Sequence, residues 1–265
     1  MPCTILFASM SDNQTGRKNV QIVAENRRKD IHNSDIPVVC IACEARHGGV
    51  CGALTPGQLT ELSRHATRRS VEAGSEMLGQ GEETRNHANI IRGVVKLSKM
   101  MSDGRQQIVG LQFAPDFMGR PFTRESTLSA EAATDIDICA FPHAIVERLM
   151  AEAPGLEHRL HAQALKELDE AREWMLTLGR KTAQEKVASF LFLIATHFDP
   201  EEGVANEFDL PLSRADIADY LGLTIETVSR QITKLRKDGV IRIENNRRVF
   251  VPVMARLKRC AGIDG

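Results

Sequence analysis

Residues 212–251 constrain the chain more tightly than any other stretch, because their punctuation leaves room for two short helices and a hairpin. Ser213 is placed to cap a helix, and Asp216 three residues later completes a capping box ahead of Ile217, Ala218 and Leu221. Gly222 falls at a turn, Thr224 can cap a second helix, and Gly239 stops it after Asp238. Two helices joined by a tight glycine turn make a helix-turn-helix unit. Residues 240–243 and 248–253 then predict two strands around Asn245-Asn246, a wing. Val228, Ile232 and Leu235 share the inward face of the second helix. That leaves Thr224, Glu226, Thr227, Ser229, Arg230 and Lys234 on the side that enters a major groove in this motif. Arg can bond guanine O6 and N7 together and Glu can accept from a cytosine amine, so duplex DNA is the expected partner.

A solvated helical hairpin has the same outline, and charge separates the two readings. Residues 212–259 hold eleven Lys/Arg against five Asp/Glu, a surplus of six on a chain of formal net charge −1. A basic C-terminal piece on a near-neutral protein is the electrostatic footprint of a DNA reader.

Upstream the texture changes twice. Residues 54–142 read as short strands punctuated by glycines, with a hairpin between residues 90–101 and 106–113 whose tip is Ser102-Asp103-Gly104-Arg105. Several such strands predict a small barrel or β-roll. Residues 143–179 switch to a helical period, which Gly179 is expected to break. His161, Ala164, Leu168, Ala171, Met175 and Leu178 step by three and four, the seam of a coiled coil. A single amphipathic helix packed on its own domain is the alternative. A homodimer paired along this seam would set two recognition helices about one DNA turn apart. Like charges at Glu167, Asp169 and Glu170 are expected to keep the seam marginal. Residues 182–198 predict a further helix, apolar at Val187, Phe190, Leu191, Ile194 and Phe198. The expected class is therefore α+β: a flexible tail over 1–35, a cysteine loop over 36–53, a β-roll over 54–142, a dimerisation helix over 143–179 and a winged helix-turn-helix over 180–265.

No run approaches the ~18 apolar residues of a membrane span, and the N-terminus lacks a long apolar stretch, so a cytosolic protein without a membrane partner is expected. In a reducing compartment the six cysteines point to metal or redox chemistry. Cys40, Cys43, His47 and Cys51 could hold tetrahedral zinc, which leaves Cys139 idle. Alternatively the cysteines could hold an iron–sulfur cluster. Spacing alone leaves both open, and Cys3 and Cys260 fall outside either pattern. The segment has no apolar run long enough to bury itself, so its thiols are expected near solvent. An iron–sulfur electron carrier or enzyme is the rival class, but the chain shows no nucleophile–base pair, phosphate loop or HExxH, and a carrier needs no basic wing.

The stretch Ser213-Arg214-Ala215-Asp216-Ile217-Ala218-Asp219-Tyr220-Leu221-Gly222-Leu223-Thr224-Ile225-Glu226-Thr227-Val228-Ser229-Arg230 resembles the helix-turn-helix of the CRP/FNR regulators. Glu226-x-x-Ser229-Arg230 is like the FNR branch, and Ala183-x-Glu185-Lys186-Val187-Ala188-x-Phe190-Leu191 is similar to the family's helix after the hinge. The resemblance implies a cyclic-nucleotide-binding-like jelly roll for the β-roll, and a TTGAT-like half-site. It also implies RNA polymerase contact through roll loops, here Asp103, Gly104 and Arg105. Cys40-Ile41-Ala42-Cys43, Cys51 and Cys139 look like the ligands of the oxygen-sensing members, which implies a 4Fe–4S cluster. Gly119-Arg120-Pro121 lacks the acidic residue with which cyclic-nucleotide binders hold the ribose, so no cyclic nucleotide is expected. Not an enzyme but an oxygen-responsive regulator is what the resemblance implies.

Overall fold

The computed structural model describes residues 36–198 and 206–263; the tail read over 1–35, with Cys3, lies outside them. The cysteine segment is helical where a loop was expected: α1 (Val38–Ile41), α2 (Glu44–His47) and a 3-10 turn over Val50–Ala53. A helix the strand reading overlooked follows, α3 (Pro56–His65), opened by a Thr55/Gln58 capping box with proline in the first turn.

Eight strands come next: β1 (Thr67–Val71), β2 (Glu76–Leu78), β3 (Asn86–Arg92), β4 (Val94–Met100), β5 (Gln106–Phe113), β6 (Phe117–Met118), β7 (Ser129–Ala132) and β8 (Ile136–Pro142). They form two antiparallel four-stranded sheets, β1-β8-β3-β6 and β2-β7-β4-β5. Ala88, Ile90, Val95, Ala132, Ile136 and Ile138 fill the space between them, the inward half of each strand's alternation. This is the expected β-roll. One strand was expected over 90–101, but Gly93 divides it into β3 and β4. Its φ is +92°, and a Cβ there would stand 2.5 Å from Asp135 O, so glycine alone fits the bend.

The helical stretch is likewise two elements, α4 (His143–Glu152) and α5 (Pro154–Arg180). The expectation of one helix over 143–179 fails at Pro154, which cannot continue α4 and drives Ala153 out of helical geometry. Gly179 was expected to break the run and does not; α5 continues to Arg180 and stops at the extended Lys181. Thr182 then caps α6 (Ala183–Phe198), its hydroxyl and amide both bonded to Glu185.

The C-terminal part holds β9 (Glu207–Asp209), α7 (Arg214–Leu221), α8 (Ile225–Lys237), β10 (Arg242–Glu244), β11 (Arg248–Phe250) and α9 (Met254–Cys260). The Ser213/Asp216 capping box is present, Gly222 is left-handed, and the Thr224 hydroxyl caps α8. The wing turns on Asn245 and Asn246, both at positive φ. Its sheet has a third strand the sequence reading missed, in the order β10-β11-β9.

The roll and the DNA-reading part share a core. Val94, Ile108 and Phe113 pack in one apolar cluster with Val187, Phe190 and Leu191 of α6 and Ile217, Leu221, Val228 and Leu235 of the helix-turn-helix. Polar ties run along the same boundary. Lys96 Nζ lies 2.7 Å from Asp216 Oδ1 and 2.9 Å from Glu131 Oε1. Gln106 donates to Asp219 and Gln107 to Tyr220 O. Trp174 of α5 stacks on Tyr220 with ring centroids 4.3 Å apart and donates to its carbonyl.

Candidate nucleic-acid interface and cysteine site

The caps of α8 decide which of its side chains face outward. Val228 and Leu235 are fully buried and Ile232 nearly so, which turns Glu226, Ser229, Arg230 and Lys234 to solvent. Thr224 and Thr227 are engaged in the cap: Thr227 N donates to Thr224 Oγ1 at 3.2 Å. Arg230 Nη2 donates to Thr227 Oγ1 at 3.3 Å, which props the guanidinium over the first turn. The backbone amide and the Thr224 hydroxyl hold the Glu226 carboxyl below its usual range, ready as an acceptor. Ser229, Arg230, Lys234, Thr233 and Lys237 border a shallow groove of about 420 Å³. Thr233 and Lys237 were missed by the sequence reading, although both follow Arg230 at helical spacing. Arg214 ties α7 to the wing by donating to Asn246 O.

On α5 the seam residues His161, Ala164, Leu168, Ala171 and Met175 are exposed in the single chain, and Leu178 is half-buried. Leu165 and Leu176, also exposed, widen the apolar face beyond the expected seam. The expected repulsion within α5 is offset by local partners. Asp169 pairs with Arg172 and Glu170 with Lys166, while Glu167 accepts from Gln112 and Gln163.

The four cysteines of the expected cluster set come from two places. Cys40, Cys43 and Cys51 lie on the helical segment, and Cys139 lies on β8 between Arg68 of β1 and Asn89 of β3 in register. The segment is not as open as expected. Cys43 and Cys51 are each 8% exposed; Cys51 joins Val50, Leu54, Leu149, Leu156 and Leu160 in one apolar cluster. Burial pushes the Cys51 thiol up to about 12, helped by Cys139, Cys40 and Cys43 and opposed by a hydrogen bond from Asn89. Burial likewise pushes Cys139 up to about 11, opposed by Arg68 and helped by Cys40 and Cys43. The Cys51 thiol therefore feels the other three members of the set, and the Cys139 thiol feels Cys40 and Cys43. Asn89, 1% exposed, turns Nδ2 to Cys51 Sγ at 3.1 Å, while its Oδ1 finds no partner. A buried amide aimed at sulfur fits a ligating sulfur, which accepts hydrogen bonds and carries no proton.

Among the described residues no three His, Cys, Asp or Glu side chains stand close enough to hold one ion. His47 donates to Ile41 O at 3.0 Å. A zinc held by Cys40, Cys43, His47 and Cys51 would need every ligand within about 2.3 Å of one ion, and the His47 ring is turned to Ile41 O instead.

The tip of the β4–β5 hairpin is exposed, and Gly104 has the positive φ its turn requires. Asp103 and Arg105 pair within the tip, Arg105 Nη2 lying 2.8 Å from Asp103 Oδ2. After β6, Gly119 is packed so tightly that a Cβ would stand 2.0 Å from His87 Nδ1. Its neighbour Arg120 donates to Thr127.

A β-roll joined through an apolar-faced helix to a winged helix-turn-helix, with a basic reading face, defines a DNA-binding transcription regulator. Residues 68–153 match the cyclic nucleotide-binding domain and residues 185–260 the Crp-like helix-turn-helix domain. A probable transcriptional activator of Rhizobium leguminosarum bv. viciae is 65% identical over 88% of this chain and 97% of its own length. The transcriptional activator protein FnrL of Cereibacter sphaeroides is 41% identical over 87% of this chain and 96% of its own. Among solved structures, FixK2 from Bradyrhizobium japonicum superposes with a TM-score of 0.67 and 34% identity, over 74% of this chain and 96% of that one. The chain belongs to the CRP/FNR family of transcription regulators. Its relatives and fold are those of regulators and not of enzymes. Among the described residues no helix is long and apolar enough to cross a membrane.

Proposed function

We propose that the protein is an oxygen-responsive transcriptional activator that binds palindromic DNA as a homodimer while a 4Fe–4S cluster is held by Cys40, Cys43, Cys51 and Cys139. The observation that carries this reading is the buried Asn89 amide, which donates to Cys51 Sγ from the position beside Cys139 and so links the helical segment to a strand of the roll. Bound there, the cluster supplies iron–thiolate bonds that join the two and that oxygen attacks. The chain's own contacts carry the state of the segment onward. Arg159 of α5 donates to Gly49 O at 2.6 Å, and Cys51 shares its apolar cluster with Leu156 and Leu160 of α5. A segment released from β8 loosens the first turns of the helix whose seam faces the second copy. That shifts the population from dimer toward monomer and away from DNA.

Glu226, Ser229 and Arg230 read bases from α8, with Thr224, Thr227 and Lys234 near the phosphates. The dimer forms along His161, Ala164, Leu168, Ala171, Met175 and Leu178, and RNA polymerase meets Asp103, Gly104 and Arg105. The protein acts in the cytoplasm. Cyclic nucleotide is not its effector, a reading supported by the close seat of Gly119 on His87 and the lack of an acidic neighbour. A cluster-free regulator is the second reading, favoured by the burial of Cys43 and Cys51.

Protein purified without oxygen decides between them through its iron, sulfide and visible spectrum before and after air, with operator binding measured in parallel. Four irons and four sulfides, lost in air together with specific DNA binding, are expected. Serine at any one of the four cysteines should abolish both, and Cys3→Ser and Cys260→Ser should abolish neither. A Cys139→Ser protein with a normal cluster that still loses DNA binding in air overturns the assignment.

A further inference from the structure

Cys139 does not stand alone on the sheet. Arg68 on β1 and Asn89 on β3 are its register partners on either side. Residues directly opposite in antiparallel strands share a face, so Arg68, Cys139 and Asn89 form one row across three strands. Both flanking side chains reach the cysteine segment. The Arg68 guanidinium donates to Val39 O, one residue before Cys40. The Asn89 amide donates to Cys51 Sγ at 3.1 Å from a buried position. One cation and one amide N–H are thus placed against sulfurs and backbone that would surround a negatively charged group. Neither residue belongs to the thiol set.

Resting on the cluster reading above, we propose that Arg68 and Asn89 are positioning residues for that cluster, holding the cysteine segment against β8 and lending positive charge and N–H bonds to its sulfurs. Hydrogen bonds to the sulfurs and nearby charge tune a cluster's reduction potential, and partners beyond the ligands hold the metal in place. Donors and cations stabilise the more negative, reduced level. Removing them lowers the potential and lets iron leave faster.

The test uses the full chain purified without oxygen, as wild type, Arg68→Gln, Arg68→Lys and Asn89→Leu. Unfolding midpoints establish that each variant is folded, and iron and sulfide are counted before each measurement. The readouts are the reduction potential by mediated spectroelectrochemistry and the rate of iron release to a chelator. Arg68→Gln and Asn89→Leu are expected to shift the couple about tenfold toward oxidation, which is about 59 mV for one electron, and to release iron at least several-fold faster. Arg68→Lys should recover the potential in large part, because it keeps the charge. Arg68 is exposed, so its substitution tests the idea even if leucine at position 89 disturbs the sheet. Wild-type potential and release rate in a fully loaded Arg68→Gln protein would overturn the inference while leaving the cluster reading intact. Wild-type protein without iron would overturn both.

Discussion

Replacing Lys96 by Met removes the cation that joins the roll to the helix-turn-helix. Its ammonium lies 2.7 Å from Asp216 and 2.9 Å from Glu131, with side-chain exposures of 12%, 22% and 34% for Lys96, Asp216 and Glu131. An exposed pair contributes about 0–1 kcal/mol, whereas stripping a buried pair of one partner costs about 3–5 kcal/mol. The partial burial here places the cost between these limits, at about 2–3 kcal/mol, or roughly 30- to 150-fold in the docking equilibrium. The loss should appear as a lower urea midpoint and as faster hydrogen exchange in α7, whose cap Asp216 also serves. Burial alone would raise the Asp216 carboxyl, but its bonds to Lys96 and Ser213 outweigh burial and hold it below the ordinary 3.8. A depressed carboxylate contributes stability that is present above pH 3.8 and lost as pH falls through the folded value. Wild type should therefore lose stability more steeply below pH 3.8 than Lys96→Met does. A Lys96→Met protein within about 0.5 kcal/mol of wild type, with unchanged exchange in α7, would refute the reasoning.

Three further outcomes are expected. Ala171→Glu places a charge in the apolar face of α5 and should weaken the dimer by about 3 kcal/mol or more, with operator binding falling in parallel; sedimentation and gel-shift titration check it, and normal operator binding removes the seam from the interface. Arg230→Ala should cost about 1–3 kcal/mol on operator DNA and relax preference at one G·C pair, whereas Lys234→Ala should weaken operator and random duplex alike; equal losses on both duplexes for Arg230→Ala refute its reading role. Arg105→Ala should lower transcription in a purified system at unchanged DNA affinity and stability, since its partner Asp103 lies within the same exposed tip; normal activation leaves that pair a turn contact only.

The helix-turn-helix was legible almost to the residue because its signals are local. A cap, a left-handed glycine and a second cap each act within four residues of themselves, and all of Ser213, Gly222 and Thr224 do so. α3 carried the same kind of signal in Thr55 and Gln58, but it lay inside a stretch dominated by strand-like texture. Pro154 should have divided the long helix, and the unbroken apolar period across it masked the break. Gly93 shows the opposite failure: a run of β-branched residues looks continuous, and only the nearness of Asp135 O reveals a bend. The resemblance singled out the four thiols, whereas no signal marked Arg68, Asn89, Lys96 or Trp174. Their roles exist only through partners between 29 and 120 residues away in sequence, and no local pattern marks such pairs.

The β4–β5 hairpin meets the helix-turn-helix along one edge and solvent at its tip. Gln106 holds Asp219 of α7, and its immediate neighbour Arg105 closes the tip. The tip and the DNA reader are thereby joined through adjacent residues of one strand. Linkage then runs both ways: a protein that grips the tip more firmly in the docked arrangement tightens the hold on DNA, and DNA tightens the grip by the same factor. If the tip is the polymerase surface proposed above, it is part of the apparatus that reads DNA, and affinity at each end should depend on occupancy of the other.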